Sequence, residues 1–168
     1  DLKTPTVLLG GDAATVTAGA DASHWTAAKT MDDTDTQGAI SISIAFSDLA
    51  GNAGVTLTSS SDGNNVTYDR TAPSITTATI ASNNTTDDIL AVPGNVVTLT
   101  FVSNEDIQTP AVTIATQTAT VSAGADAKNW TAAYTMTENE SNGTVPFSIT
   151  YMDLASNAGA AAQTGLLN

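Results

Sequence analysis

Ser47-Asp-Leu-Ala-Gly-Asn-Ala-Gly54 returns 105 residues later as Met152-Asp-Leu-Ala-Ser-Asn-Ala-Gly159. Working outward from that stretch, the same offset aligns residues 1–63 with 106–168 without a gap, and 27 of the 63 positions are identical. Among them are Thr4-Pro5 with Thr109-Pro110, Ala18-Gly-Ala-Asp-Ala22 with Ala123-Gly-Ala-Asp-Ala127, and Trp25-Thr-Ala-Ala28 with Trp130-Thr-Ala-Ala133. A repeat of this length is the size of a small domain rather than one turn of a solenoid. The chain therefore reads as a tandem array of one module. A whole unit starts near Thr71, so 1–70 is expected to be a partial module lacking its first strands. Residues 71–168 are expected to be a nearly complete module lacking its last strand. Either the chain is a piece of a longer array, or neighbouring subunits complete the open ends with strands of their own.

The local pattern has period two almost throughout. Val7 and Leu9 share one face of a strand after Pro5, and Gly10-Gly11-Asp12 turns it. Ile40, Ile42, Ile44 and Phe46 alternate with small residues, as do Val145, Phe147, Ile149 and Tyr151. Val97, Leu99 and Phe101 make a third such stripe. Strands this short, with turn signals every 8–12 residues, predict an all-β chain of antiparallel β-sandwiches, with no room for crossover helices. Asp69-Arg-Thr-Ala-Pro73 reads as the joint, because its proline fixes one backbone angle and restricts the residue before it.

Lys and Arg total 4 against 17 Asp and Glu, a net charge of −13, which argues against nucleic acid as a partner. The carboxylates suit divalent cations instead. With no cysteine, neither disulfides nor thiolate metal sites exist. No apolar run is long enough for a membrane span.

Taken in order, Asp48-Leu-Ala-Gly-Asn52, Asp69-Arg-Thr-Ala-Pro73, Gly94-Asn-Val-Val-Thr-Leu-Thr-Phe101, Trp130-Thr-Ala-Ala-Tyr-Thr-Met136 and Val145-Pro-Phe-Ser-Ile-Thr-Tyr-Met-Asp153 cover essentially the whole chain. This series resembles the bacterial immunoglobulin-like repeats of large prokaryotic surface proteins. The resemblance implies tandem immunoglobulin-like sandwiches and an extracellular, cell-surface role as adhesin stalk, surface layer or filament. It also implies calcium, which several such repeats bind. Ser156 departs from the glycine of the Asp-Leu-Ala-Gly-Asn turn, and Lys29 stands where the second copy has Tyr134.

Asp48 with Asn52, and Asp153 with Asn157, have two readings. They cap backbone N–H groups in tight turns, or they bind calcium with Asp69 and loop carbonyls completing the oxygen shell at the joint. The aligned acidic stretches Asp32-Asp33-Thr-Asp35 and Glu138-Asn-Glu140 are expected to be solvated faces, with weak cation binding as the alternative. Trp25 and Trp130 begin alternating strands and are expected in the core rather than as sugar platforms. Lys29 is expected to pack its stem and reach water with its head. Asn65, Asn83, Asn84, Asn139 and Asn142 are glycosylation acceptors by pattern, in or beside loops. The single histidine, His24, aligns with Asn129, and no nucleophile motif or phosphate loop occurs, so the chain reads as no enzyme. Its expected partners are other copies of itself or neighbouring modules. The alternative is an adhesive module that binds a glycan or protein receptor.

Overall fold

The computed structural model describes residues 1–21 and 23–163. Among these residues there is no helix, and every strand pairing is antiparallel. The chain divides into two compact units, Asp1–Asp69 and Arg70–Asn168.

The first unit carries β1 (Thr6–Leu9), β2 (Asp12–Ala13), β3 (Thr15–Ala18), β4 (Trp25–Ala28), β5 (Gly38–Ala39), β6 (Ile42–Ala45) and β7 (Thr67–Tyr68). They form a three-stranded sheet in the order β2-β1-β6 and two pairs, β3-β4 and β5-β7. The second unit carries β8 (Ile75–Ser82), β9 (Val96–Ser103), β10 (Ala111–Ile114), β11 (Gln117–Thr118), β12 (Thr120–Ala123), β13 (Asn129–Thr135), β14 (Phe147–Thr150) and β15 (Ala162–Gln163). Here two four-stranded sheets form, β11-β10-β14-β15 and β12-β13-β9-β8.

The alternation in the sequence sets which side chains enter the core of the second unit. Along β9, Val97, Leu99 and Phe101 are buried, and their cross-strand partners on β13 are Tyr134, Ala132 and Trp130. Small Ala132 lies opposite Leu99, which leaves space for the residues of the facing sheet. Val112, Ile114, Ile149 and Ala162 come from that facing sheet and join the same core cluster. The two sheets thus share one hydrophobic interior, as in a sandwich.

Every pairing of the first unit other than that of β5 with β7 recurs in the second at an offset of 105. Leu9↔Ile42 becomes Ile114↔Phe147, Leu8↔Ala13 becomes Thr113↔Thr118, and Thr15↔Ala28 becomes Thr120↔Ala133. The β1-β2 hairpin turns on Gly10 and Gly11, both with positive φ, a geometry that twists with the strands and favours glycine. In the second unit Ala115 (φ 52°) and Thr116 (φ 67°) hold the same turn without that freedom.

The units differ in what is buried. Among the described residues of the first unit, only Pro5 and Val7 (6% exposed) are buried apolar side chains. The stripe Ile42, Ile44 and Phe46, expected to be covered on one side, is only half-buried, whereas Ile149 is 0% exposed. The cause is topological. In the second unit β13 lies between β12 and β9, and β9 brings Val97, Leu99 and Phe101 into the core; in the first, β4 pairs with β3 alone among the described residues. Trp25 is accordingly half-buried, and its Nε1 is buried without a partner among the described residues, while Trp130 is buried and donates to Ala127 O at 2.9 Å.

Candidate functional site

The acidic side chains of both units share one local device. A carboxylate placed at the head of a turn accepts the N–H groups that the turn leaves without partners.

In the first unit Asp48 Oδ1 accepts from Asn52 N at 2.8 Å and Oδ2 accepts from Asn52 Nδ2 at 2.8 Å. The side-chain bond from Asn52 is the main reason its carboxyl is held below the usual range. In the second unit Asp153 accepts the same two bonds from Asn157 at 2.8 and 2.7 Å, with the side chain of Asp153 fully buried. Asp153 O also accepts from Gln108 Nε2 at 2.7 Å, and Ser156 N donates to it at 3.2 Å. Ser156 reaches this position with φ 74°, where Gly51 has φ 98°. In each turn the aspartate and asparagine meet each other, so the capping geometry is present at both.

Glu105, half-buried, brings a carboxylate oxygen within 4.8 Å of one on Asp153. The two acids lie 48 positions apart in the chain and are brought together by the fold across a strand end. Asp69 is the last residue of the first unit.

A second cap occurs at Asp21 and Asp126. Asp126 Oδ1 accepts from Lys128 N at 2.9 Å and from Asn129 Nδ2 at 2.7 Å. Asp21 Oδ1 accepts from Ser23 N at 2.9 Å and lies 2.7 Å from His24 Nδ1. Hydrogen bonds from the Ser23 side chain first, then from His24, lower its carboxyl to about 2. His24 therefore occupies the structural position of Asn129. Ser23 Oγ at 2.6 Å and His24 Nδ1 at 2.7 Å both meet Asp21 Oδ1, and the serine oxygen lies 3.2 Å from the ring nitrogen.

The acidic loops depart from expectation. Asp35 is buried (5% exposed), because Lys29 Nζ donates to its Oδ1 and Asp32 N donates to its Oδ2 at 2.7 Å. Lys29 does not send its head into water: its side chain is 12% exposed and also pairs with Asp12 at 3.3 Å. The bond to Asp35 raises the Lys29 ammonium above its usual value, and the bond from Lys29 lowers Asp35. In the second unit Tyr134 hydroxyl donates to Glu140 Oε1 at 2.6 Å, and Thr137 N donates to Oε2 at 2.6 Å. This is the same arrangement with both partners changed. Asp33 and Glu138 remain exposed.

Of the glycosylation candidates, Asn65, Asn83, Asn139 and Asn142 are exposed. Asn84 is half-buried, and its Oδ1 accepts from Thr86 N at 2.9 Å. Asn83 Oδ1 accepts from Val96 N at 2.8 Å.

The second unit also carries a groove of about 840 Å³ between the end of β8, the segment from Ile89 to Pro93 and the loop from Met136 to Val145. No helix among the described residues is long and apolar enough to cross a membrane. No protein-family model, no curated protein and no solved structure matches this chain.

Proposed function

We propose that the chain is a non-enzymatic structural stretch of an extracellular surface array, stalk or filament, made of two copies of one immunoglobulin-like module. The observation that carries this reading is the constant offset. Strand pairs, turn caps and the hydrogen-bonded acid of each loop recur at 105 residues although most of the intervening side chains differ. A module retained with its registers intact while its surface changes is what spacing and mechanical continuity require. The resemblance to bacterial immunoglobulin-like repeats of surface proteins points the same way. Neighbouring chains or modules complete the units with strands, and calcium stiffens the array through the acidic turns. The carboxylates of Glu105 and Asp153, brought within 4.8 Å of each other, support a hard cation at that strand end.

Electron microscopy of native material tests the array, with linear or sheet-like polymer expected. Compact monomers alone would remove the reading. Thermal unfolding with calcium and then with excess chelator tests the cation: binding to the folded state raises the melting temperature by linkage. Coincident curves would leave Asp48 and Asp153 as turn caps only.

A further inference from the structure

In the first unit, β7 closes the edge of β5 through the pairs Gly38↔Tyr68 and Ala39↔Thr67. Ile40 N donates to Val66 O at 2.8 Å, and the Tyr68 hydroxyl donates to Asp32 O at 2.9 Å. Adding 105 to the receiving residues gives Gly143, Thr144, Val145 and Thr137, and all four line the groove of the second unit. Gly143 already has the positive φ of Gly38, 132° against 116°, so the edge is set in the conformation that receives a strand. Yet Gly143 and Thr144 have no strand partner among the described residues. The opposite wall presents Ile89, Leu90 and Val92 at 82%, 57% and 55% exposure, an apolar surface of a kind that marks an interaction site.

We infer that this groove is the docking site of an extended strand bearing the pattern of residues 65–68, Asn-Val-Thr-Tyr. The incoming strand runs antiparallel to 143–145 and accepts the Val145 N–H. It also places a tyrosine hydroxyl on Thr137 O, where Tyr68 places its own on Asp32 O. Main-chain pairing supplies the affinity, and the apolar wall with the hydroxyl acceptor supplies the selectivity. This deepens the structural-array reading and rests on it for the source of the strand. The groove and its occupant rest only on the equivalence of the two units.

The test titrates a synthetic peptide of residues 64–70, Asn-Asn-Val-Thr-Tyr-Asp-Arg, into the full chain and follows backbone amide shifts and hydrogen exchange. Saturable binding of one peptide per chain is expected, with shifts and new protection at Gly143, Thr144 and Val145. The peptide with Tyr68→Phe should bind about 2- to 10-fold more weakly, the equivalent of one hydrogen bond. Leu90→Glu in the chain should abolish binding while leaving the melting temperature unchanged, because Leu90 is mostly exposed. A scrambled peptide that binds equally well would overturn the inference. So would protection of 143–145 before any peptide is added, since the chain's own residues would then close the groove. Polymer seen by microscopy with no peptide binding would sink this docking site and leave the array reading standing.

Discussion

Tyr134 donates its hydroxyl to Glu140 at 2.6 Å, and Lys29 and Asp35 stand in the same relation 105 residues earlier. Both partners have changed together: a neutral donor with the longer acid in one unit, a cation with the shorter acid in the other. The backbone N–H that completes each arrangement, from Thr137 or Asp32, has stayed. The pair therefore acts as one element that fastens the acidic loop to the strand before it.

Exchanging partners singly should then hurt more than exchanging them together. Lys29→Tyr and Asp35→Glu are each expected to lower the melting temperature of the first unit, and the double variant should recover part of the sum of the losses. Residues in direct contact are the ones for which additivity fails. Additive losses in a thermal double-mutant cycle would show that the two side chains are held independently.

The hairpin at Ala115 and Thr116 is strained where its counterpart is not. A β-branched residue at φ 67° lies in a region that L side chains avoid, at a cost of roughly 1–2 kcal/mol. Thr116→Gly should stabilise the second unit by about 1 kcal/mol, and Gly11→Thr should cost the first a similar amount. Chemical denaturation at constant m-value measures both.

Gly159 is required for a different reason. Its backbone does not have a positive φ, but a Cβ added there would lie 2.1 Å from Tyr151 Cε2. Gly54 meets the ring of Phe46 at the same distance. Gly159→Ala should therefore cost about 1–3 kcal/mol or more, because the ring belongs to a packed core and cannot swing away. A stability within 0.5 kcal/mol of the parent, roughly the surface-substitution range, would mean that the ring relocates freely.

Acid should unfold the chain through its caps. Asp21, Asp35, Asp48, Asp126 and Glu140 are all held below their usual values, chiefly by donors from Ser23, Lys29, Asn52, Asn129 and Tyr134 respectively. A depressed carboxyl contributes stability that is full above its unfolded value and is lost as pH falls through its folded one. For Asp21 that window runs from 3.8 down to about 2. Lys29 and Tyr134 are raised, so their contributions are complete at neutral pH and disappear only in strong base. The melting temperature should be flat near neutrality and fall below about pH 4. Relief of charge repulsion in a chain of net charge −13 acts in the opposite direction, so a rise on acidification would mean that repulsion outweighs the caps.

Much of this was legible in the residues. Period-two stripes such as Val97-Thr-Leu-Thr-Phe101 fix both the strand and its inward face, and Asp48 with Asn52 announces its turn because the bonds are local. Burial was less legible. Ile44 and Ile149 occupy equivalent stripes, yet only the second is sealed, because sealing depends on β9 and not on the stripe itself. The loop acids show the same limit. Nothing in Asp32-Asp33-Thr-Asp35 marks Asp35 as the inward one until Lys29, on an apolar face six residues earlier, is recognised as its partner. The parallel exchange of Tyr134 and Glu140 was the available signal.

The unequal cores have a calorimetric consequence. Heat capacity on unfolding rises with the apolar surface released to water, and the first unit, whose Ile42, Ile44 and Phe46 are only half-buried, has less to release than the second. Its stability curve should be shallow and its thermal transition broad, with a small heat-capacity step. The second unit, with Leu99, Phe101, Ile114 and Ile149 sealed, should show a strongly curved profile with a sharp melt. Over a wide temperature range the weakly packed unit would thus change its stability least.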